Sequence, residues 1–500
     1  MIAPAASKST AWAGLIKANK KTATKIVQPV KAQVARSASP SKIQAASPPS
    51  LASAVAPSSV TAVPGPKPPV QAAGIVASVS GNTMPASSND SRIDALLYGG
   101  TNYWWGNKTS DGGKTFTVSY SMLGKTLDAS ASAQDANGYK PMTATQQTAV
   151  KKALSYISSV INIKFVAGKA GQADINFGTN NQGGVSAGYA NLPNASGAHK
   201  SYVMLANDDA SNKSPTAGNY GWQTLVHELG HAIGLKHPGN YNAGGGGGTP
   251  PYLSAQDDNQ RNSIMSYNAP ADATVFDYKL TSTASGISIS GKTSRVGVYG
   301  FMRYDLAALQ YLYGANTRQN GAGQVSSFTS AWKGLQTLWS PAANSSIDAS
   351  KVTRENIIDM REGAFSSINI QPGIPADIAA IDQKFGSSFG STYTTNNTYF
   401  GYNNVALATG SKLSSALGGT ARDVIYANTL AKLTVDGGRG ADVLYLAGSE
   451  NQWSFQGKAG AGVYTNTVTS QKVFVKNIES IRYYDASAFA STHSSVDLTA

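Results

Sequence analysis

Three of the chain's five histidines fall within eleven residues, in HELGHAIGLKHPG (227–239). On an α-helix, residues four apart differ by about 40° in azimuth and about 6 Å in height. His227 and His231 would therefore send both imidazoles from one face toward a common point, which makes a clamp for a zinc ion. Glu228 sits about 100° further round the axis, where it could reach a water beside the ion without ligating it. A third histidine on the same continuous helix could not complete the site from the same side. Gly234 tolerates positive φ and lets the helix stop, Pro238 would enforce the stop, and His237 would then swing back as the third ligand. Three neutral imidazoles leave one position open to water, the pattern of a catalytic zinc and not a structural one. HExxH alone is a weak match; the added requirement for Gly234 and His237 makes it far more specific.

These residues need a scaffold. TFTVSYSM (115–122) has the make-up of a strand. In the stretch from 143 on, Val150, Leu154, Ile157 and Ile161 recur at helical spacing, with Thr143 or Thr145 as N-cap candidates. Strand-like INIKFVA, ADINFGT and SYVMLAN follow, then the histidine helix, then FMRYDLAALQYLYGAN, which is expected to be an amphipathic helix ending at Gly314. The order predicts a mixed α/β (α+β) domain over 91–315. From 316 to 500, short β-prone runs alternate with Gly, Asn and Ser turns, which predicts a second, all-β domain. Residues 1–90 are rich in Ala, Ser, Pro and Lys and too poor in large apolar side chains to offset ordering entropy, so they are expected to be a disordered extension. That extension would be a linker, a pro-segment or a weak attachment to an anionic surface.

Composition narrows the function further. The chain has no cysteine, which excludes disulfides, zinc–thiolate sites and thiol catalysis. Its 500 residues carry a net charge of +13. Nine basic and no acidic residues lie in 1–89, leaving 31 basic against 27 acidic in the rest. The excess belongs to a tail, so nucleic acid is not expected as a partner. No apolar run reaches the length of a membrane span. The N-terminus lacks a continuous apolar core, so a cleavable secretory signal is not expected.

HELGHAIGLKH together with SIMSY (263–267) resembles the metzincin zinc metalloproteases. HPGNYN, YGWQTLVHELG, PYLSAQDDNQRNSIMSY and MRYDLAALQYLYGAN are similar to the serralysin branch (family M10) in particular. The resemblance implies a protease domain with one catalytic Zn²⁺, Met265 as a packing floor of the Met-turn, and Tyr267 able to stabilise an oxyanion. An ordinary buried tyrosine is the alternative for Tyr267. Glu228 would act as general base on a zinc-activated water. An extended protein or peptide substrate would lie against an edge strand in GGVSAGYANLP, at Ala187, Gly188 and Tyr189. The enzyme would be a monomeric metalloendopeptidase.

GGRGADVLY (437–445) fits the calcium nonapeptide GGxGxDxUx, with Gly437, Gly440 and Asp442 as ligand positions, and GGTARDVIY fits in part, through Asp423. The C-terminal domain therefore resembles a degenerate RTX-like β-roll, a solenoid with few calcium ions or none. In the alternative, Asp423 and Asp442 merely form Asx turns. Trp339 and Asp348 stand where the family opens its roll, with serine and alanine in place of aspartates. WSFQGKAGAGVYTNTVTSQKVFVKNIESIRYYD and the end VDLTA are similar to the caps of proteins exported by type I machinery with an uncleaved C-terminal signal, which implies a secreted protein. The competing class is a non-enzymatic matrix protein on a retired protease scaffold; an intact Glu228 and three histidines speak against it.

Overall fold

Thr143 starts the long helix Ala144–Val160: its side chain accepts from Gln146 N while Gln146 answers the Thr143 N–H. Such a reciprocal cap contributes about 1 kcal/mol. In this computed structural model, residues 87–485 are described apart from 99–103, 107–108, 111–114, 128–130, 194–199, 243–247, 284–285, 319–322, 372, 387–389 and 391–397. The basic extension up to residue 86 and the VDLTA end lie outside the described residues.

Val150, Leu154 and Ile157 bury the helix against a twisted sheet, while Ile161 has already left it as the C-cap. The sheet's core is parallel: Thr115–Met122 pairs with Ile163–Ala167 and with Ile175–Asn180, which in turn pairs with Ser201–Ala206. Every residue of the last two strands is buried, as expected of strands covered on both faces. One antiparallel strand, Gly188–Ala190, closes the sheet at its edge beside Ser201–Ala206. Helix Tyr220–Ala232 packs on that corner.

The closing helix Arg303–Tyr313 stops at Gly314, where φ is +74°. Its apolar side chains segregate as its sequence suggested, yet it presents no face to solvent. All eleven residues are buried, because the helix runs through the core and its polar members bond inside it. A long antiparallel hairpin, Thr274–Thr283 with Gly286–Arg295, precedes it.

The C-terminal half is a parallel β-roll. One face stacks Val325–Thr329, Ser345–Lys351, Leu413–Leu417, Lys432–Asp436 and Lys472–Lys476. The other stacks Asn356–Asp359, Asp423–Tyr426, Val443–Ala447 and Ser480–Tyr484. Val424 registers with Val443, so the nineteen-residue repeat spacing is one full coil. Ile425, Leu433, Val435 and Leu444 fill the interior. This half is not all-β, since the helix Ala376–Phe385 interrupts it. Strand pairing links the two halves, with Gly297 and Val298 registered on Gly334 and Leu335.

Candidate metal centre

Asn219 caps the ligand helix by accepting from Trp222 N. At the other end the orphan carbonyls find buried donors: the Trp105 indole bonds Ala232 O at 2.9 Å and the Tyr313 hydroxyl bonds Ile233 O at 2.7 Å. Gly234 takes φ +108°, a region open to glycine, and the chain leaves the helix there. Pro238 is not the breaker; four residues earlier the turn is already made. The departing segment is pinned as a β-bridge, Leu97 with Leu235, and Lys236 N donates to Leu96 O. The Lys236 ammonium is buried and donates to Ala95 O at 2.5 Å and Pro251 O at 2.8 Å. His237 is thereby returned to the helix.

His227, His231 and His237 form one cluster whose ligand atoms all lie within 4.8 Å of one another. His237 Nε2 stands 3.2 Å from His227 Nε2 and 3.0 Å from His231 Nε2. The Nδ1 atoms face acceptors: Ile264 O at 2.9 Å, Leu235 O at 2.8 Å and Asn242 Oδ1 at 2.8 Å. Those acceptors place the single proton of each neutral ring on Nδ1. Burial, and then the charge of neighbouring histidines, pulls His227 down to about 3 and His231 well below the ordinary histidine value; burial also lowers His237. Three proton-free Nε2 lone pairs thus converge with no hydrogen between them. Such a set repels itself unless a cation sits among it, and the all-nitrogen donor set suits zinc.

Glu228 is buried beside the cluster, and burial pushes its carboxyl up to about 8. Met265 is fully buried against the helix, so close to Gly230 that a β-carbon there would stand 2.6 Å from its Sδ. Tyr267 is 42 % exposed, so it is not an ordinary buried tyrosine. Its ring lies 4.5 Å from that of His237 and stacks on Tyr241 at 4.9 Å. The edge strand passes over the glutamate: a β-carbon at Gly188 would stand 3.0 Å from Glu228 Cγ. Ala187 shares the cleft with these residues, whereas Tyr189 turns its hydroxyl away to Asp135.

For several supporting residues the sequence gives no role, although Asn242 falls in HPGNYN and Asp305 in MRYDLAALQYLYGAN. Asp305 accepts from Ser263 Oγ, Ile264 N and Met302 N at 2.6–2.8 Å, fixing the carbonyl that orients His227. Asn242 and Lys236 do the same work for His237. Asp305 reads as one more polar residue of a helix, and Lys236 as a surface residue between two motif positions.

In the roll, Asp423 and Asp442 are fully buried on adjacent coils. Asp423 Oδ1 accepts from Asn356 N and Nδ2 at 2.8 Å, and its Oδ2 from Gly419 N. Asp442 Oδ1 accepts from Asp423 N at 2.7 Å, and Asp442 N donates to Glu479. The bonds to Asn356 and Asp423 N cross between coils and the one from Gly419 closes the turn preceding Asp423, so neither side chain accepts from the N–H two residues on as an Asx turn would. Gly437 and Gly440 lie in the turn that carries Asp442, Gly440 at φ +139°. Asp442 Oδ2 is buried without a partner. A calcium ion there would have Asp442 as a ready carboxylate, while both oxygens of Asp423 are already held by N–H donors.

Comparison with known proteins agrees with the site. A family model described as "Reprolysin_5: Metallo-peptidase family M12" matches residues 99–277. "Metallopeptidase AprA" of Pseudomonas marginalis is 28% identical over 70% of this chain and 68% of its own length. "Serralysin" of Proteus mirabilis is 28% identical over 57% of this chain and 54% of its own. "Serralysin A" of Dickeya chrysanthemi is 30% identical over 52% of this chain and 55% of its own. These likenesses support a serralysin-type metzincin, a metallopeptidase of mixed α/β fold with a β-rich C-terminal region. No helix among the described residues is long and apolar enough to cross a membrane.

Proposed function

We propose that the protein is a zinc-dependent endopeptidase that cuts extended segments of other proteins outside the cell, with Glu228 as general base. The convergence of three Nε2 lone pairs, each with its Nδ1 proton committed elsewhere, carries this reading. His227, His231 and His237 would hold the ion. When bound, zinc supplies a Lewis acid that polarises a carbonyl and makes water more acidic.

The remaining work falls to the chain itself. Glu228 takes a proton from water and hands it to the leaving amine. Burial alone favours the protonated form, which must donate in the second step, while the charge of a bound zinc would favour the carboxylate needed in the first. The exposed Tyr267 hydroxyl donates to the developing oxyanion. Substrate adds as a further strand along Gly188–Ala190, so main-chain hydrogen bonds give affinity with broad sequence tolerance. An extracellular site of action fits the low share of charged residues, 13 %, and is compatible with the absence of cysteine.

Casein zymography with and without a zinc chelator tests the reading, with Glu228→Ala as the control. The parent clears casein and the chelator stops it. The variant keeps stoichiometric zinc and loses about 10²–10⁴ in rate. A variant as fast as the parent would refute the mechanism. A parent that holds zinc but digests nothing would favour the retired-scaffold class.

A further inference from the structure

The cleft beside Glu228 has a volume of about 240 Å³. It is lined by the edge segment with Ala187 and Gly188 and by residues of the ligand helix, including Gln223 and Thr224. Its lining mixes polar and apolar groups in about equal measure, and Glu228, at the metal end, is its one carboxylate. The sole cation in that lining is Arg295, the last residue of the hairpin strand Gly286–Arg295. Arg295 is exposed and forms no ion pair with any carboxylate among the described residues. Tyr220, half exposed, also lines the cleft and feels the charges of both Arg295 and Glu228. The cleft thus has a carboxylate at its chemical end and a free guanidinium at its rim.

We infer that Arg295 is a specificity-determining residue, selecting substrates that place an aspartate or glutamate in the side-chain pocket next to the scissile bond. This rests on the endopeptidase reading of the same site. A carboxylate meets a planar donor fork suited to bidentate pairing. A bound peptide covers the cleft and shields the pair from water, which strengthens it relative to an open surface pair. The hairpin acts as the arm that carries the guanidinium to the cleft, its terminal position fixed by registry of Arg295 with Thr274.

The test is digestion of a proteome-derived peptide mixture, with the residues flanking each cut read by mass spectrometry. The parent enriches Asp and Glu about fivefold at one position within two residues of the cut, the size expected of one sheltered ion pair. Arg295→Gln abolishes the enrichment while casein clearing persists, Arg295→Lys keeps part of it, and Arg295→Glu replaces it with Lys and Arg. Binding is a second readout: to the inactive Glu228→Ala protein, a peptide with Glu in that position binds more tightly than its Gln twin, and 0.5 M salt narrows the gap. A parent with no acidic enrichment, or an Arg295→Gln variant that keeps it, overturns the inference and leaves the endopeptidase reading intact. If the parent shows no chelator-sensitive cleavage at all, the endopeptidase reading fails and this inference falls with it.

Discussion

The histidine cluster and the aspartates of the roll differ in what surrounds their acceptor atoms. Both are assembled from short motifs, and both bury polar groups that chains ordinarily leave in water. At the metal centre, three acceptors face one another, and their only protons are turned outward to Ile264 O, Leu235 O and Asn242. In the roll, most acceptors are already met by backbone N–H groups, from the neighbouring coil or from the same turn. One site demands an ion from outside; the other largely satisfies itself, with Asp442 Oδ2 as its remaining orphan. Motif resemblance puts metal-ligand residues in both halves, yet the direction of the hydrogen bonds separates them.

Breaking the first site should have the largest effect. His237→Ala removes one of three ligands, and the purified protein is expected to lose its zinc and its chelator-sensitive proteolysis together, read by metal analysis and casein clearing. Next comes Asn242→Ala, which keeps all ligands but frees the His237 ring. Zinc affinity should fall 10–100-fold, measured by competition with a chromogenic chelator, with little change in unfolding temperature. Were zinc affinity unchanged, the orienting role of Asn242 would be wrong.

Asp305 sharpens the same contrast from the stability side. Asp305→Ala leaves the Ser263 hydroxyl and the Ile264 and Met302 N–H groups buried without their acceptor. Each such orphan costs about 1–3 kcal/mol, so a loss on the order of 3 kcal/mol or more is expected in denaturant titration. A change below about 1 kcal/mol would show that Asp305 is not holding the Met-turn.

The two halves were unequally legible in the sequence. The ligand helix, its break at Gly234 and the return of His237 follow from helical geometry and one glycine, which are local facts. The parallel strands were legible because Ile175–Asn180 and Ser201–Ala206 are buried on both faces and so read as continuous β-prone runs. The hairpin 274–295 was missed: Gly, Ser, Thr and Lys dominate its second strand, which has little apolar alternation to see. The helix Ala376–Phe385 was lost in a segment judged by its turns. Lys236, Asn242 and Asp305 were invisible for a different reason. Their partners, Ala95 O, His237 Nδ1 and Ile264 N, are defined by tertiary approach, and no spacing rule connects Asp305 to Ile264 across 41 residues.

The smallest effect tests the roll itself. Burial first, and then the charges of neighbouring acids, push Asp442 up to about 6; burial also pushes Asp423 up to about 6, against 3.8 in an unfolded chain. A carboxyl raised on folding binds its proton more tightly in the native state, so its stabilising share is complete below about pH 4 and is lost as pH rises toward 6. Asp442→Asn keeps an acceptor for Asp423 N and cannot ionise. In calcium-free buffer, the melting temperature of the variant relative to the parent should therefore climb between pH 4 and 6 and level off above. Adding calcium at pH 7 is expected to leave the parent's melting temperature nearly flat. A calcium-dependent rise that Asp442→Asn abolishes would instead mean that the orphaned oxygen is a ligand, and the contrast between the two sites would narrow to one of affinity.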